Sequence, residues 1–134
     1  MDLSAINWLA VLVAALSSFL IGGVWYSPIL FAKPWMEDCG LSEADLKQGA
    51  PVKIFAGSFV LALIVAFNLA AFLGPDAGLA WGATAGGLAG FGWVAASMGV
   101  TYLFERKPLR LFLIDAGYHG VTYVIMGGLL GVWS

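Results

Sequence analysis

Residues 79–104 read LAWGATAGGLAGFGWVAASMGVTYLF, a run with no Asp, Glu, Lys, Arg or His. At about 1.5 Å of rise per residue, a helix of this length exceeds the roughly 30 Å of hydrocarbon in a bilayer. Polar and apolar residues do not alternate along it, as they would in a barrel strand. A helix satisfies its own backbone N–H and C=O groups, which lipid cannot do. Gly82, Gly86 and Gly90 recur every fourth residue and lay a smooth stripe down one face. Lipid tails supply no hydrophobic drive for helix association, so such stripes serve close backbone packing.

Working outward, three further apolar runs fit the same template, at residues 6–29, 52–73 and 109–133. The sequence therefore predicts an all-α polytopic membrane protein, one transmembrane domain over residues 1–134, with four helices in a bundle. Of its residues, 61% are hydrophobic and 10% charged, where a soluble domain carries about 25% charged residues. A net charge of −2 offers no basic field for nucleic acid. Cys39 is the single cysteine, so neither an internal disulfide nor a thiolate metal cage is expected, and no metal or cofactor is predicted. The start, Met1-Asp2, has no basic segment ahead of the apolar run, which reads as a retained first span rather than a cleaved leader.

Orientation follows from Lys and Arg. Lys33, Lys47 and Lys53 lie in or beside the connection at 31–51, and Arg106, Lys107 and Arg110 flank the turn at 105–108. The termini and residues 74–78 carry none. The positive-inside rule makes the connections at 31–51 and 105–108 cytoplasmic and puts both termini outside. Trp8, Trp81 and Trp133 mark one interface; Trp25, Tyr26, Trp35 and Tyr102 mark the other. Within 31–51, Ser42 to Asp45 resembles a capping box and Gly49 with Pro51 resembles a stop, predicting a short surface helix at 42–48. Trp35 and Met36 are expected in the headgroup layer.

The other spans also carry small-residue stripes: Ala14, Ser18 and Gly22 in the first, Gly127 and Gly131 in the fourth. The glycines of the third span exceed what one partner needs, so a homo-oligomer, most simply a dimer, or docking into a larger membrane complex is expected. A faint internal echo joins Gly23-Val24-Trp25-Tyr26 to Gly99-Val100-Thr101-Tyr102, and Lys53-Ile54-Phe55 to Arg110-Leu111-Phe112. It fits two parallel hairpins related by an axis along the membrane normal, and equally a chance match between apolar sequences.

The fourth span holds the informative chemistry. Asp115 and His119 are four apart and share a face, widened by Tyr118 and Thr122. Counted from Leu109, Asp115 lies about 9 Å and His119 about 15 Å deep. Ser58 and Ser97 fall near the depth of Asp115; Ser18 and Trp93 fall near that of His119. Ionisable groups at such depth are costly and mark pathways or relays. One reading is a polar pocket in which Asp115 and His119 exchange protons. The other is structural: Asp115 snorkels to Arg110 or Lys107, and His119 donates to a backbone carbonyl. Asn68 reads as an interhelical hydrogen-bonding residue. No nucleophile elbow or phosphate loop is present, so no catalytic residue is assigned.

Several motifs carry a resemblance. Asn7-Trp8-Leu9-Ala10-Val11 opens the first span and Gly23-Val24-Trp25-Tyr26-Ser27-Pro28 closes it, followed by Lys33 and Trp35; Ala116-Gly117-Tyr118-His119 and Met126-Gly127 lie in the last span. In these the chain resembles the bacterial family of small four-span membrane proteins known as domain of unknown function 1761. The resemblance implies four helices and a membrane location, and brings no substrate or catalytic residue. Together these features point to a small inner-membrane protein, first a transporter or permeation protein using Asp115 and His119. An accessory subunit of a larger complex comes second and a membrane enzyme third.

Overall fold

The computed structural model describes residues 3–48 and 51–133, and every regular element among them is helical. After a short 3₁₀ turn, Leu3–Ala5, come α1 (Trp8–Trp25), α2 (Ala32–Cys39), α3 (Glu43–Gln48), α4 (Pro51–Leu73), α5 (Leu79–Phe104) and α6 (Leu109–Val132).

The first helix stops at Trp25, short of the expected residue 29. Pro28 has no N–H to continue a helix and disfavours helical backbone at Ser27. The chain turns and starts α2, which the sequence reading missed. This helix closes at Gly40 with φ of 69°, a left-handed cap that glycine adopts without strain. The predicted capping box forms: Ser42 N–H donates to Asp45 Oδ2 at 2.9 Å, Asp45 N–H donates to Ser42 Oγ at 3.1 Å, and α3 follows. Gly49, the expected stop, lies outside the described residues.

The closest packing joins α5 to α6. A Cβ added at Gly82 would land on the Gly127 carbonyl oxygen, and one at Gly86 on that of Tyr123. A Cβ at Gly131 would reach the Gly78 carbonyl, while the Gly78 N–H donates to the Gly131 carbonyl at 2.9 Å. A Cβ at Gly90 would meet Tyr123 Cβ at 2.7 Å. The stripe at Gly82, Gly86 and Gly90 thus packs against α6 within the chain. Midway, residues Leu88–Ala95 wind as a π-helix, from which the Phe91 ring lies over Gly120.

The second stripe also faces inward. Ala14 and Ser18 are buried, and Gly22 sits under the Tyr118 ring. Between α1 and α4 the contact is alanine and aromatic: Trp8 stacks on Phe67 at 5.4 Å between centroids, and Phe19 meets Phe59 at 6.1 Å. The two hairpins therefore pack differently, one through glycine backbone and one through rings, and the sequence echo does not extend to packing.

Three helices are long and apolar enough to cross a membrane: Trp8–Trp25, Val52–Leu73 and Leu79–Phe104. The expected fourth, α6, has the length at 24 residues, but Asp115, Tyr118 and His119 dilute its apolar character. Its position accounts for this. It is the hub, packed against α1, α2, α4 and α5 and buried at Leu111, Ile114, Met126 and Leu130 along its length, so much of its surface meets protein, with Leu113 and Ile125 left exposed.

The two ends of the bundle differ. At one, Asn7 accepts from the Ala10 N–H at 3.1 Å to cap α1, and its Nδ2 donates to the Trp133 carbonyl at 2.7 Å. At the other, α2 is clamped to the start of α6: Arg110 Nε and Nη2 donate to the two Asp38 carboxylate oxygens at 2.8 and 2.6 Å, and Nη2 reaches Glu37 at 3.4 Å. Helix α2 and the turn at 105–108 thus share one end.

Candidate functional site

Helix α6 carries the four central predicted residues, and the structure sends them to two places. Asp115 faces a tyrosine clamp. Its Oδ1 accepts from Tyr26 Oη at 2.8 Å and its Oδ2 from Tyr102 Oη at 2.6 Å. Tyr26 caps the end of α1 and Tyr102 lies in the last turns of α5, so one carboxylate ties three helices together. Beside it, Trp25 Nε1 donates to the Ile114 carbonyl at 2.9 Å. The structural expectation for Asp115 is corrected here. Arg110 is engaged by Asp38 and Glu37, while Lys107 pairs with Glu105 at 3.5 Å and sits 4.9 Å above the centre of the Tyr102 ring. The carboxylate has no need to snorkel, because phenolic donors reach it in place.

The second place is a cavity of about 230 Å³ between α1, α4 and α6. Ser18, Ser58, Tyr118, His119 and Thr122 all line it, five of the eight pocket residues proposed from the sequence. The other three do not. Asp115 turns to the clamp instead. Ser97 and Trp93 stand on α5, which does not contribute to the cavity, and both are exposed. Counting along a helix gave them a depth but not a face, because facing comes from packing. The imagined direct exchange between Asp115 and His119 is therefore not what the side chains are arranged for. Asn68, expected to bridge helices, donates to the Ile64 carbonyl of its own helix at 2.8 Å and is exposed.

Within the cavity the polar groups are held at defined angles. Tyr118 Oη donates to the Ser18 carbonyl at 2.9 Å, and Ser18 Oγ donates to the Ala15 carbonyl at 2.6 Å. The Tyr118 ring is the link between the two places, with centroids 5.4 Å from Tyr26 on one side and 5.1 Å from His119 on the other. Thr122 is 3% exposed. Its hydroxyl lies beside that of Tyr118 and, among the described residues, makes no hydrogen bond of good geometry.

Outside the bundle, the hydrogen bonds from Arg110 hold the Asp38 carboxyl below the usual carboxylate range, and the backbone and hydroxyl of Ser42 do the same for Asp45.

With this geometry in place, comparison with known proteins adds one match. The family model described as "Protein of unknown function (DUF1761)" covers residues 9–131. The chain belongs to the DUF1761 family. No curated protein and no solved structure matches it. The DUF1761 match runs from the first turn of α1 to Gly131 near the end of α6, so the tyrosine clamp, the cavity and the glycine interface all fall inside it. Tyr26 and Tyr102 were not singled out as site residues from sequence. The signal was there: they are the shared tyrosines of the Gly-Val-x-Tyr echo.

Proposed function

We propose that this DUF1761 protein crosses the bacterial inner membrane four times and acts as a small transporter or permeation protein whose substrate site is the His119 cavity. In this reading residues 31–51 and 105–108 are cytoplasmic and both termini lie outside. The length of α6, the pairing of the ends and the gathering of basic residues beside α2 support four crossings.

The observation that carries the transport reading is the cavity itself. It holds about 230 Å³, is partly open along α4 at Ser58 and Leu61, lies about halfway along three helices, and includes hydroxyl-bearing residues and the single imidazole in its lining. Imidazole is the side chain that changes charge near neutral pH, which suits a proton-linked step. Asp115 is then a positioning residue that holds α1 and α5 against α6.

The test is flux in liposomes. Purified protein should dissipate an imposed pH gradient, followed with an entrapped pH-sensitive dye, and His119→Ala should abolish this while leaving incorporation unchanged. A parent protein that leaves the gradient intact at every pH tried would sink the reading.

A further inference from the structure

We infer that the His119 cavity takes an uncharged, lipid-soluble molecule with one hydrogen-bonding head, which enters sideways from the bilayer. This rests on reading the cavity as the substrate site, and it names the class of substrate.

Charge comes first. The lining residues include no Asp, Glu, Lys or Arg. An ionised ligand at this depth would find no counter-charge, and an unpaired charge buried in hydrocarbon costs several kcal/mol. The two carboxylate oxygens that could have met a cation belong to Asp115 and are already taken by Tyr26 and Tyr102.

Hydrogen bonding comes second. The buried Thr122 hydroxyl lies beside the Tyr118 oxygen, which can accept its proton, and that leaves the Thr122 oxygen as an acceptor on the cavity wall. The Tyr118 hydroxyl beside it has already given its proton to the Ser18 carbonyl. A head group bearing a hydroxyl would donate to the Thr122 oxygen on one side and meet the His119 ring on the other. The opposing wall, Leu61, Val65 and Met126, is apolar and suits the carbon skeleton behind that head.

The opening comes third. Ser58 and Leu61 are lining residues that are also exposed. They lie about 10–15 Å along α4 from its start, well inside the span. Because α5 does not line the cavity, its mouth faces the lipid flank of α4 rather than either aqueous end. Size agrees. A dry cavity of roughly 150 Å³ takes a benzene ring, while drug-sized ligands need about 300 Å³ or more. A cavity of about 230 Å³ holds a head group whose chain remains among the acyl tails.

The experiment uses the full chain in liposomes with a medium-chain fatty alcohol carrying a photoactivatable diazirine, and maps adducts by mass spectrometry. Adducts should concentrate at residues 61–65 and 119–126 and fall at least fivefold with excess unlabelled alcohol of the same length. Thr122→Val, nearly isosteric, should reduce them severalfold. Ser58→Trp, placed at the exposed mouth where folding is not at risk, should do the same. The matching ionised carboxylic acid should label the cavity weakly. Adducts spread evenly over lipid-facing positions such as Leu16, Leu20 and Val100, or equal labelling by the acid, would overturn the inference. The two readings fail separately. Specific labelling without gradient dissipation retires the transport reading and keeps the binding site. Dissipation with unspecific labelling retires the lipid-soluble ligand alone.

Discussion

Tyr102, on α5, donates its phenolic proton to Oδ2 of Asp115 on α6 at 2.6 Å. With Tyr26 on the other oxygen, the carboxylate is satisfied by two donors from two different helices. Hydrogen bonds to charged groups contribute about 1.5–3 kcal/mol each. Tyr102→Phe and Tyr26→Phe should therefore each lower stability by about that amount in detergent unfolding. Each should lose most of its effect in an Asp115→Asn background, the mark of a shared contact. Tyr118→Phe, which removes one bond to a neutral carbonyl, should cost about 0.5–1.5 kcal/mol.

The glycine interface permits a sharper contrast. At Gly82 and Gly86 an added methyl would meet carbonyl oxygens of α6, which are backbone and cannot swing aside. Gly82→Ala and Gly86→Ala should each destabilise by about 1–3 kcal/mol or more. Gly57 in α4 meets nothing within 4 Å; Gly57→Ala should be neutral or stabilise by up to about 1 kcal/mol through helix propensity. Thermal unfolding of the three variants side by side decides it.

The Asp38–Arg110 clamp predicts a pH response of α2. Because the Asp38 carboxyl is held below its usual range in the folded chain, folding favours the ionised form. That contribution is complete above the ordinary carboxylate pKa of about 3.9 and is lost as pH falls through the lowered folded value. Hydrogen exchange at residues 32–39 should stay slow from neutral pH down to about 5 and accelerate only in stronger acid. Asp38→Asn should show fast exchange already at neutral pH. Exchange that rises between pH 8 and 6 would point to another group.

Orientation is accessible through the lone thiol. Cys39 is exposed and should react with a membrane-impermeant maleimide only after the cytoplasmic face is opened. In a Cys39→Ser background, Ala77→Cys and Val132→Cys should both react in intact cells. Labelling of Val132→Cys from the cytoplasmic side alone would show that α6 does not cross.

Much of the fold was legible because lipid imposes simple rules. Uninterrupted apolar length was enough to place α1, α4 and α5, and glycines at every fourth position announced a close helix contact without naming α6 as the partner. Ser42 and Asp45 announced α3 in the same way, through local hydrogen bonding. What escaped was lateral. The sequence reading put Ser97 and Trp93 in the pocket, and both lie outside it, since no periodicity says which neighbour a helix face meets. Asp115 was read against His119 because four residues separate them, whereas its partners stand 89 and 13 positions away at Tyr26 and Tyr102. The hub role of α6 was hidden for the same reason: its polar content looked like a functional signal alone and is also what a helix ringed by protein tolerates.

That ring of neighbours bears on how the chain is made. On the four-span reading, α6 is the helix the bilayer welcomes least, with a carboxylate and an imidazole in its first half. Its glycine seam to α5 and the short turn between them let the two enter as a preformed hairpin, so that α6 meets a waiting groove rather than bare lipid.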